Sequence, residues 1–184
     1  MNAKLVLASS SPRRRELLRR MGIEFEVNVQ PTDEHVCGKA RDVVALFAER
    51  KAHAVADTLD EGIVLGADTL VALNDQVLGK PKDEREAEQM LRSLSGRAHS
   101  VFTGVCLIDA KQMEKRTHVE ETRVFFRTLT EDEIDAYVLT GEPMDKAGAY
   151  AIQGKAGAFV EKIEGSFENV MGLPTQALEQ MLRG

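Results

Sequence analysis

The sequence contains little cysteine and no long apolar segment. Cys37 and Cys106 are the only cysteines among 184 residues, and they form neither a CxxC pair nor a His/Cys cluster at zinc spacing. A reducing, cytoplasmic location is therefore the simplest one to expect. No apolar run approaches the roughly 18 residues of a membrane span, and the run at residues 4–8 is too short for a signal peptide. The sequence thus predicts no membrane partner.

The chain also lacks an excess of positive charge. A net charge of −6 and a pI near 5.3 argue against a nucleic-acid polymer as the main partner, because such a partner needs a broad basic surface. The P-loop signature, the dinucleotide fingerprint GxGxxG and the nucleophile elbow GxSxG are missing as well. A P-loop kinase, a Rossmann dehydrogenase and a serine hydrolase are therefore poorly supported.

What is present suits one domain over residues 1–184, or two small lobes that share a core. Short apolar runs alternate with amphipathic periodic stretches, and the order of the elements predicts an α/β fold: a mixed twisted sheet with flanking helices. The later elements predicted are a hairpin over 98–109 and 117–127, a strand over 158–163 and a closing helix over 174–182.

The first eighteen residues place cations where a helix disfavours them. Ser11 before Pro12 is a usual helix start, with a hydroxyl cap and then proline at the first position. Arginines at 13–15 then crowd the first turn, beside the positive end of the helix dipole. A bound anion such as a phosphate explains this, with backbone N–H groups and the serine hydroxyls of 9–11 as further donors. A solvated basic turn is the alternative.

Lys51 lies in the middle of an apolar stripe. It belongs to an amphipathic helix predicted over 39–59, four residues after Phe47 and four before Val55. Its ammonium must either snorkel to solvent or meet an anion, and the pattern leaves both outcomes open.

Asp68 ends a continuous apolar run over 62–69, which indicates a central strand buried on both faces. The carboxyl end of such a strand is the usual place for ligands in open α/β sheets, which makes Asp68 a candidate site residue. A structural aspartate in a turn is the alternative.

His99, in the predicted hairpin, is interpreted as a satisfied strand-edge histidine rather than a catalyst.

Residues 140–154 are rich in glycine and have no hydrophobic period, which is typical of a site loop. Across the chain, cations at several points suit a polyphosphate, and carboxylates suit Mg²⁺, which binds through one or two carboxylates plus substrate phosphates. Together with water they indicate hydrolysis at phosphorus.

Seven motifs occur in an order that spans nearly the whole chain. They are LASSSPRRRELL at 7–18, an acidic pair at 33–34, FAERKA at 47–52, GADT at 66–69, GKP at 79–81, SVFTGV at 100–105 and GEPMDKAGAYAIQG at 141–154. This set resembles the Maf family of nucleoside triphosphate pyrophosphatases. The resemblance implies an ITPase-like fold with two lobes around a central cleft, a homodimer, a divalent cation (Mg²⁺ or Mn²⁺), and cleavage to nucleoside monophosphate and pyrophosphate. It also implies removal of surplus or modified nucleotides and a link to septum formation.

The same resemblance assigns roles to individual positions. The aspartate thought to act as catalytic base is Asp68, and the further catalytic positions are Glu34, Lys51 and Lys80. The phosphate-binding positions are Ser9, Ser11 and Arg14.

Three further positions track the choice of base in this family. In the dTTP/UTP branch they carry arginine, threonine and glutamine, which are Arg13, Thr69 and Gln153 in this chain. The branch acting on 7-methyl-GTP carries tryptophan, a GSDQ motif and glutamate there instead. The amide of Gln153 also suits uracil or thymine, since it can donate to one edge atom and accept from N3–H.

The resulting hypothesis has a metal bridging Asp68, Glu34 and the phosphates, while Asp68 activates water against the α-phosphorus. Arg14, Lys51 and Lys80 neutralise the departing pyrophosphate. Which of the two carboxylates is base and which is metal ligand stays open. Two alternatives also stay open: a nucleotide-sensing regulatory module linked to septum formation, and the same chemistry with 7-methyl-GTP as substrate.

Overall fold

The computed structural model describes residues 4–33, 38–74 and 76–184, and these contain seven strands and six α-helices. The strands are β1 Leu5–Ala8, β2 Phe25–Val27, β3 Ile63–Leu73, β4 Gln76–Leu78, β5 Ala98–Asp109, β6 Lys115–Phe126 and β7 Val160–Glu164. The helices are α1 Pro12–Arg20, α2 Ala40–Ala56, α3 Glu84–Leu94, α4 Glu131–Val138, α5 Phe167–Met171 and α6 Thr175–Arg183.

One mixed sheet contains all seven strands, in the order β2-β1-β3-β5-β6-β7, with β4 paired to β3. β1 runs parallel to both β2 and β3, whereas the β3–β4 and β6–β7 pairs are antiparallel. The predicted α/β class with a mixed sheet is therefore confirmed.

The chain divides into two compact units. Unit 1 comprises Met1–Asp68, Thr103–Glu120 and Gly172–Gly184, and unit 2 comprises Thr69–Phe102 and Glu121–Met171. In unit 1, Ala48, Ala52 and Val55 of α2 form one buried cluster with apolar residues of β1, β3 and β5. The boundary after Asp68 falls inside β3, so the GADT motif contributes residues to both units.

Helix starts agree with the sequence where a capping side chain defines them. Ser11 caps α1, Asp83 caps α3, and Thr130 forms a complete capping box with Glu133 at the start of α4. The predicted hairpin and closing helix are also present, each within about two residues of its expected bounds.

Two elements differ from the sequence prediction. The strand predicted over 62–69 continues to Leu73. The apolar pattern does not mark a break there because residues 70–73 are buried like those before them. The short helix α5 was not predicted, since five residues give no readable period. Among the described residues, no helix combines the length and the apolar character that crossing a bilayer requires.

Candidate functional site

The serine loop between β1 and α1 holds Arg14 inward. Ser11 accepts a hydrogen bond from the Arg14 backbone N–H at 3.5 Å and so caps the helix. The Arg14 guanidinium donates from Nη1 to Ser9 Oγ at 2.9 Å and from Nε to the carbonyl of Gly172 at 2.8 Å. Arg14 is only 8 % exposed, so its guanidinium is held inside the fold rather than solvated at the surface. The predicted pairing of Ser9 and Arg14 in one phosphate loop is consistent with this geometry.

The neighbouring arginines have different surroundings. Arg13 is half-buried and makes no hydrogen bond or ion pair with any described residue, so its guanidinium is available to a ligand. Arg15 is also half-buried and donates from Nη2 to the Ser10 carbonyl at 2.6 Å. Arg15 therefore stabilises the serine loop through this hydrogen bond.

Lys51 and Asp68 form an ion pair inside unit 1. Lys51 Nζ lies 2.5 Å from Asp68 Oδ1, with the two side chains 18 % and 13 % exposed. Of the two outcomes left open for Lys51, the structure shows that it meets an anion. Asp68 is likewise more than a turn residue, because it lies within β3 and directs its carboxylate to a lysine of α2.

Close packing of α2 on the sheet brings this pair together. A Cβ atom added at Gly66 would lie 2.7 Å from the Ala52 nitrogen and closer still to the Ala48 carbonyl oxygen. A Cβ atom at Gly104 of β5 would lie 2.6 Å from the Val44 carbonyl oxygen. Because only glycine permits such an approach, the two glycines set the distance at which Lys51 reaches Asp68.

Unit 2 carries the other predicted residues. Thr69 follows Asp68 on β3, and Lys80 is exposed just after β4. The Gly148 N–H donates to the Gly79 carbonyl at 3.0 Å, which ties the 140–154 loop to the residue before Lys80. Gln153 is exposed and makes no side-chain hydrogen bond with the described part of the chain.

The metal prediction rests on a residue that lies outside the described residues. Glu34 belongs to the segment 34–37, which is not among the described residues. Within 4–33, 38–74 and 76–184, no three His, Cys, Asp or Glu side chains are grouped closely enough to hold a metal on their own. Asp68 supplies one hard carboxylate, which is a ligand type that Mg²⁺ accepts when substrate phosphates complete the coordination.

His99 is buried, and only one of its ring nitrogens is bonded: Nδ1 has no hydrogen-bond partner among the described residues, so the expected satisfied histidine is found only in part. It is 3 % exposed, and its Nε2 lies 2.8 Å from Tyr150 Oη. Burial lowers the pKa of His99 to about 4, because the interior disfavours the charged imidazolium. It packs edge-on against the rings of Tyr150 and Phe126.

Sequence reasoning missed the part that Tyr137 plays in unit 2. The residue lies on the buried face of α4, and its hydroxyl donates to Glu142 and accepts from the backbone N–H of Ala151. The available signal was chemical: a tyrosine on a buried helix face needs a partner for its hydroxyl, and a polar loop follows directly.

Comparisons with known proteins agree on one family. The family model described as "Maf-like protein" matches residues 4–184. Relatives named dTTP/UTP pyrophosphatase include one from Pelotomaculum thermopropionicum, 50 % identical over 182 residues, which are 98 % of this chain and 95 % of the relative. The relative of that name from Symbiobacterium thermophilum is 52 % identical over 97 % of this chain and 92 % of its own length. The relative from Desulforamulus reducens is 49 % identical over 97 % of this chain and 95 % of its own length.

Proposed function

Because this chain belongs to the Maf-like protein family, as its motifs predicted, we propose that it hydrolyses dTTP and UTP to the nucleoside monophosphate and pyrophosphate. The observation that carries the proposal is the likeness to relatives named dTTP/UTP pyrophosphatase, about half identical over nearly the full length of both chains. The protein is then a hydrolase that acts on phosphoric anhydrides.

The serine loop provides the phosphate site. In the first turn of α1 the backbone N–H of Arg13 has no partner among the described residues, and the side chains of Ser9, Ser11 and Arg14 belong to the same loop and turn. The bonds from Arg14 to Ser9 and Gly172 fix the guanidinium before substrate arrives, so little side-chain entropy is lost on binding.

Asp68 accepts the proton of the water that attacks the α-phosphorus. Lys51 orients the carboxylate through the contact at 2.5 Å and places a positive charge next to the developing negative charge. Lys80 and Arg14 neutralise the departing pyrophosphate, for which spread-out cations are suited.

A divalent cation, Mg²⁺ or Mn²⁺, is part of this proposal. The chemistry of the donors fits it: Asp68 would hold the ion together with Glu34 and the substrate phosphates, a set of hard oxygens. When bound, the ion supplies charge neutralisation at the phosphates and lowers the pKa of bound water. Its requirement is tested by chelation with EDTA, which should abolish turnover, and by adding back each metal separately.

Base selection is assigned to Arg13, Thr69 and Gln153. All three are the residues expected for pyrimidine triphosphates with two edge carbonyls, and the Arg13 and Gln153 side chains have no described partner that would compete with a base. A nucleotide with a bulky methylated purine should therefore be a poor substrate.

The experiment that tests the function is a pyrophosphate-release assay with dTTP, UTP, CTP, GTP and 7-methyl-GTP. The proposal predicts the highest kcat/KM for dTTP and UTP. Binding of nucleotides without any metal-dependent product would instead support a regulatory sensor. 7-methyl-GTP as the best substrate would overturn the argument from Arg13, Thr69 and Gln153.

Three wider properties belong to the same proposal. A homodimer, a cytoplasmic location and a role in removing surplus or modified nucleotides fit an enzyme that acts on the free nucleotide pool. A link to septum formation is proposed only as a consequence of that activity. Sedimentation of the purified chain tests the dimer directly.

A further inference from the structure

The turn that carries Gln153 is held at its first end by a tyrosine. The Gly154 N–H donates to the Ala151 carbonyl at 3.0 Å, which closes a four-residue turn with the exposed Gln153 at its third position. The Ala151 N–H in turn donates to the phenolic oxygen of Tyr137 at 3.2 Å. The start of the turn is therefore fixed to α4.

A carboxylate holds the second end of the same turn. Glu142 Oε2 accepts from the Lys155 N–H at 3.4 Å, and its Oε1 accepts from the Tyr137 hydroxyl at 2.9 Å. Gly154 lies against this carboxylate, because a Cβ atom there would lie 2.7 Å from Oε2 and closer still to Oε1. One phenol–carboxylate pair thus connects both ends of the turn.

The pair itself is rigidly supported. Tyr137 is 3 % exposed, and its ring packs edge-on against Phe159 with the centroids 5.2 Å apart. The Glu142 N–H donates to Thr140 Oγ1 at 3.2 Å, and Thr140 Oγ1 donates to the Tyr137 carbonyl at 2.6 Å. The Tyr137 ring and the Glu142 backbone are therefore held near the end of α4 independently of the turn.

We propose that Tyr137 and Glu142 are positioning residues for base selection, which fix the turn that presents Gln153 to the substrate. The inference rests on the proposed function, in which Gln153 contacts the base. An amide that reads a base edge must be held in one place, since a displacement of about 1 Å in a positioning group can cost 10²-fold in rate. Gln153 lacks a side-chain partner among the described residues, so the backbone of its turn sets where the side chain starts and which region its amide can reach.

Glu142→Gln and Tyr137→Phe test this inference. An amide offers one acceptor oxygen in place of two, so it cannot accept from Tyr137 and Lys155 as the carboxylate does. Phenylalanine removes the hydroxyl that joins Ala151 to Glu142. Each variant should lower kcat/KM for dTTP and UTP by roughly tenfold, mainly by raising KM. This is the change expected when about one hydrogen bond is lost. The value for GTP should change by less than about twofold, so that the dTTP-to-GTP ratio falls.

Glu133→Gln is the matched control. Glu133 lies on α4 and bonds to Arg127 and Thr130, not to residues 151–155. It should leave the dTTP-to-GTP ratio unchanged whatever it does to stability, and thermal unfolding of every variant shows that each is folded. If Tyr137→Phe fails to fold, the part-exposed Glu142→Gln carries the test alone.

A double-variant cycle with Gln153→Ala separates positioning from general damage. If Glu142 acts through Gln153, adding Glu142→Gln to Gln153→Ala should leave the dTTP-to-GTP ratio within about twofold of Gln153→Ala alone. The inference would be overturned if Glu142→Gln lowered the dTTP-to-GTP ratio equally in the wild type and in Gln153→Ala. It would also be overturned if neither single variant changed that ratio. Both outcomes leave the activity of the wild type, and so the proposed function, in place. A wild-type chain that turns over none of the triphosphates would refute the proposed function itself, and the inference with it.

Discussion

Replacing Asp68 by asparagine should remove turnover and leave the fold in place. Asparagine cannot accept the proton from water, yet it keeps an oxygen for Lys51 Nζ, now 2.5 Å from the carboxylate. Loss of a general base typically lowers kcat by about 10²–10⁴. Pyrophosphate release measures the activity, and circular dichroism with thermal unfolding measures the fold.

Glu49→Gln provides the matched control for that change. Glu49 also lies in unit 1 and pairs with a lysine, Lys115, at 2.8 Å; a hydrogen bond from this lysine holds the pKa of Glu49 below its ordinary value. This variant should keep kcat within about twofold, because surface ion pairs contribute little. Near-normal turnover by Asp68→Asn would remove Asp68 from the catalytic role.

His99 should make the folded state sensitive to acid. Its pKa is about 4 in the fold, against 6.5 in the unfolded chain, because of burial. Between these values the unfolded chain binds a proton that the folded chain does not, so the free energy of unfolding falls as the pH drops from 6.5 to about 4. At about 1.4 kcal/mol per pKa unit, the loss reaches about 3 kcal/mol by pH 4.

Urea unfolding of the wild type and of His99→Gln over this pH range isolates the effect. Other groups titrate there as well, so the informative quantity is the difference between the two free-energy curves. The free energy of unfolding of the wild type, minus that of His99→Gln, should decrease as the pH falls from 7 to 4. Curves that stay parallel would show that His99 is not a buried neutral group.

The role of a single residue was predictable from the sequence where its neighbours along the chain determine that role. The cap at Ser11 needs only the residues next to it, and Lys51 stood out because a cation in an apolar stripe is costly. Its partner could not be chosen, since Asp68 lies 17 residues away and meets it only through packing. The inward position of Arg14 likewise depends on the Gly172 carbonyl, 158 residues further along the chain.

At the scale of elements, Gly66→Ala should push α2 away from the sheet. The added methyl would meet the backbone at Ala48 and Ala52, which cannot move aside as a side chain would. Overpacking of this kind typically costs about 1–3 kcal/mol of unfolding free energy. Because the helix carries Lys51, activity should fall in the molecules that remain folded.

Gly79→Ala is the control for that substitution. A Cβ atom at Gly79 has nothing within 4 Å, so the free energy of unfolding should change by no more than about 0.5 kcal/mol. Chemical denaturation of both variants gives the comparison. Equal stability of Gly66→Ala and the wild type would contradict the close approach of α2 to β3.

Helices and strands were predictable from the sequence where a capping motif or an alternating pattern marks them. The capping box at Thr130 and the alternation along β5 and β6 gave bounds within about two residues. The glycine-rich loop over 140–154 was predicted to be a site segment, but its two 3-10 turns at Glu142–Asp145 and Ala147–Ala149, and the one that follows it at Lys155–Phe159, were not predicted. Such turns carry no period, and the contacts between Tyr137, Glu142 and the backbone that hold them are set by tertiary structure.

At the scale of the whole molecule, the mixed sheet followed from the order of strands and helices, whereas the strand order in space did not. The β1–β3 pairing joins strands separated by two helices, and no local pattern specifies it. Nor does the sequence show that the division into two units falls between Asp68 and Thr69. The family, by contrast, follows from motifs spread over the whole chain, and the match over residues 4–184 confirms it.

In the proposed reaction, water attacks the α-phosphorus of dTTP. Turnover in ¹⁸O-labelled water with a divalent cation, followed by mass spectrometry of the products, tests it most directly. Attack at the α-phosphorus should give dTMP that carries the label and pyrophosphate that does not. Labelled inorganic phosphate together with dTDP, or no product at all, would contradict it.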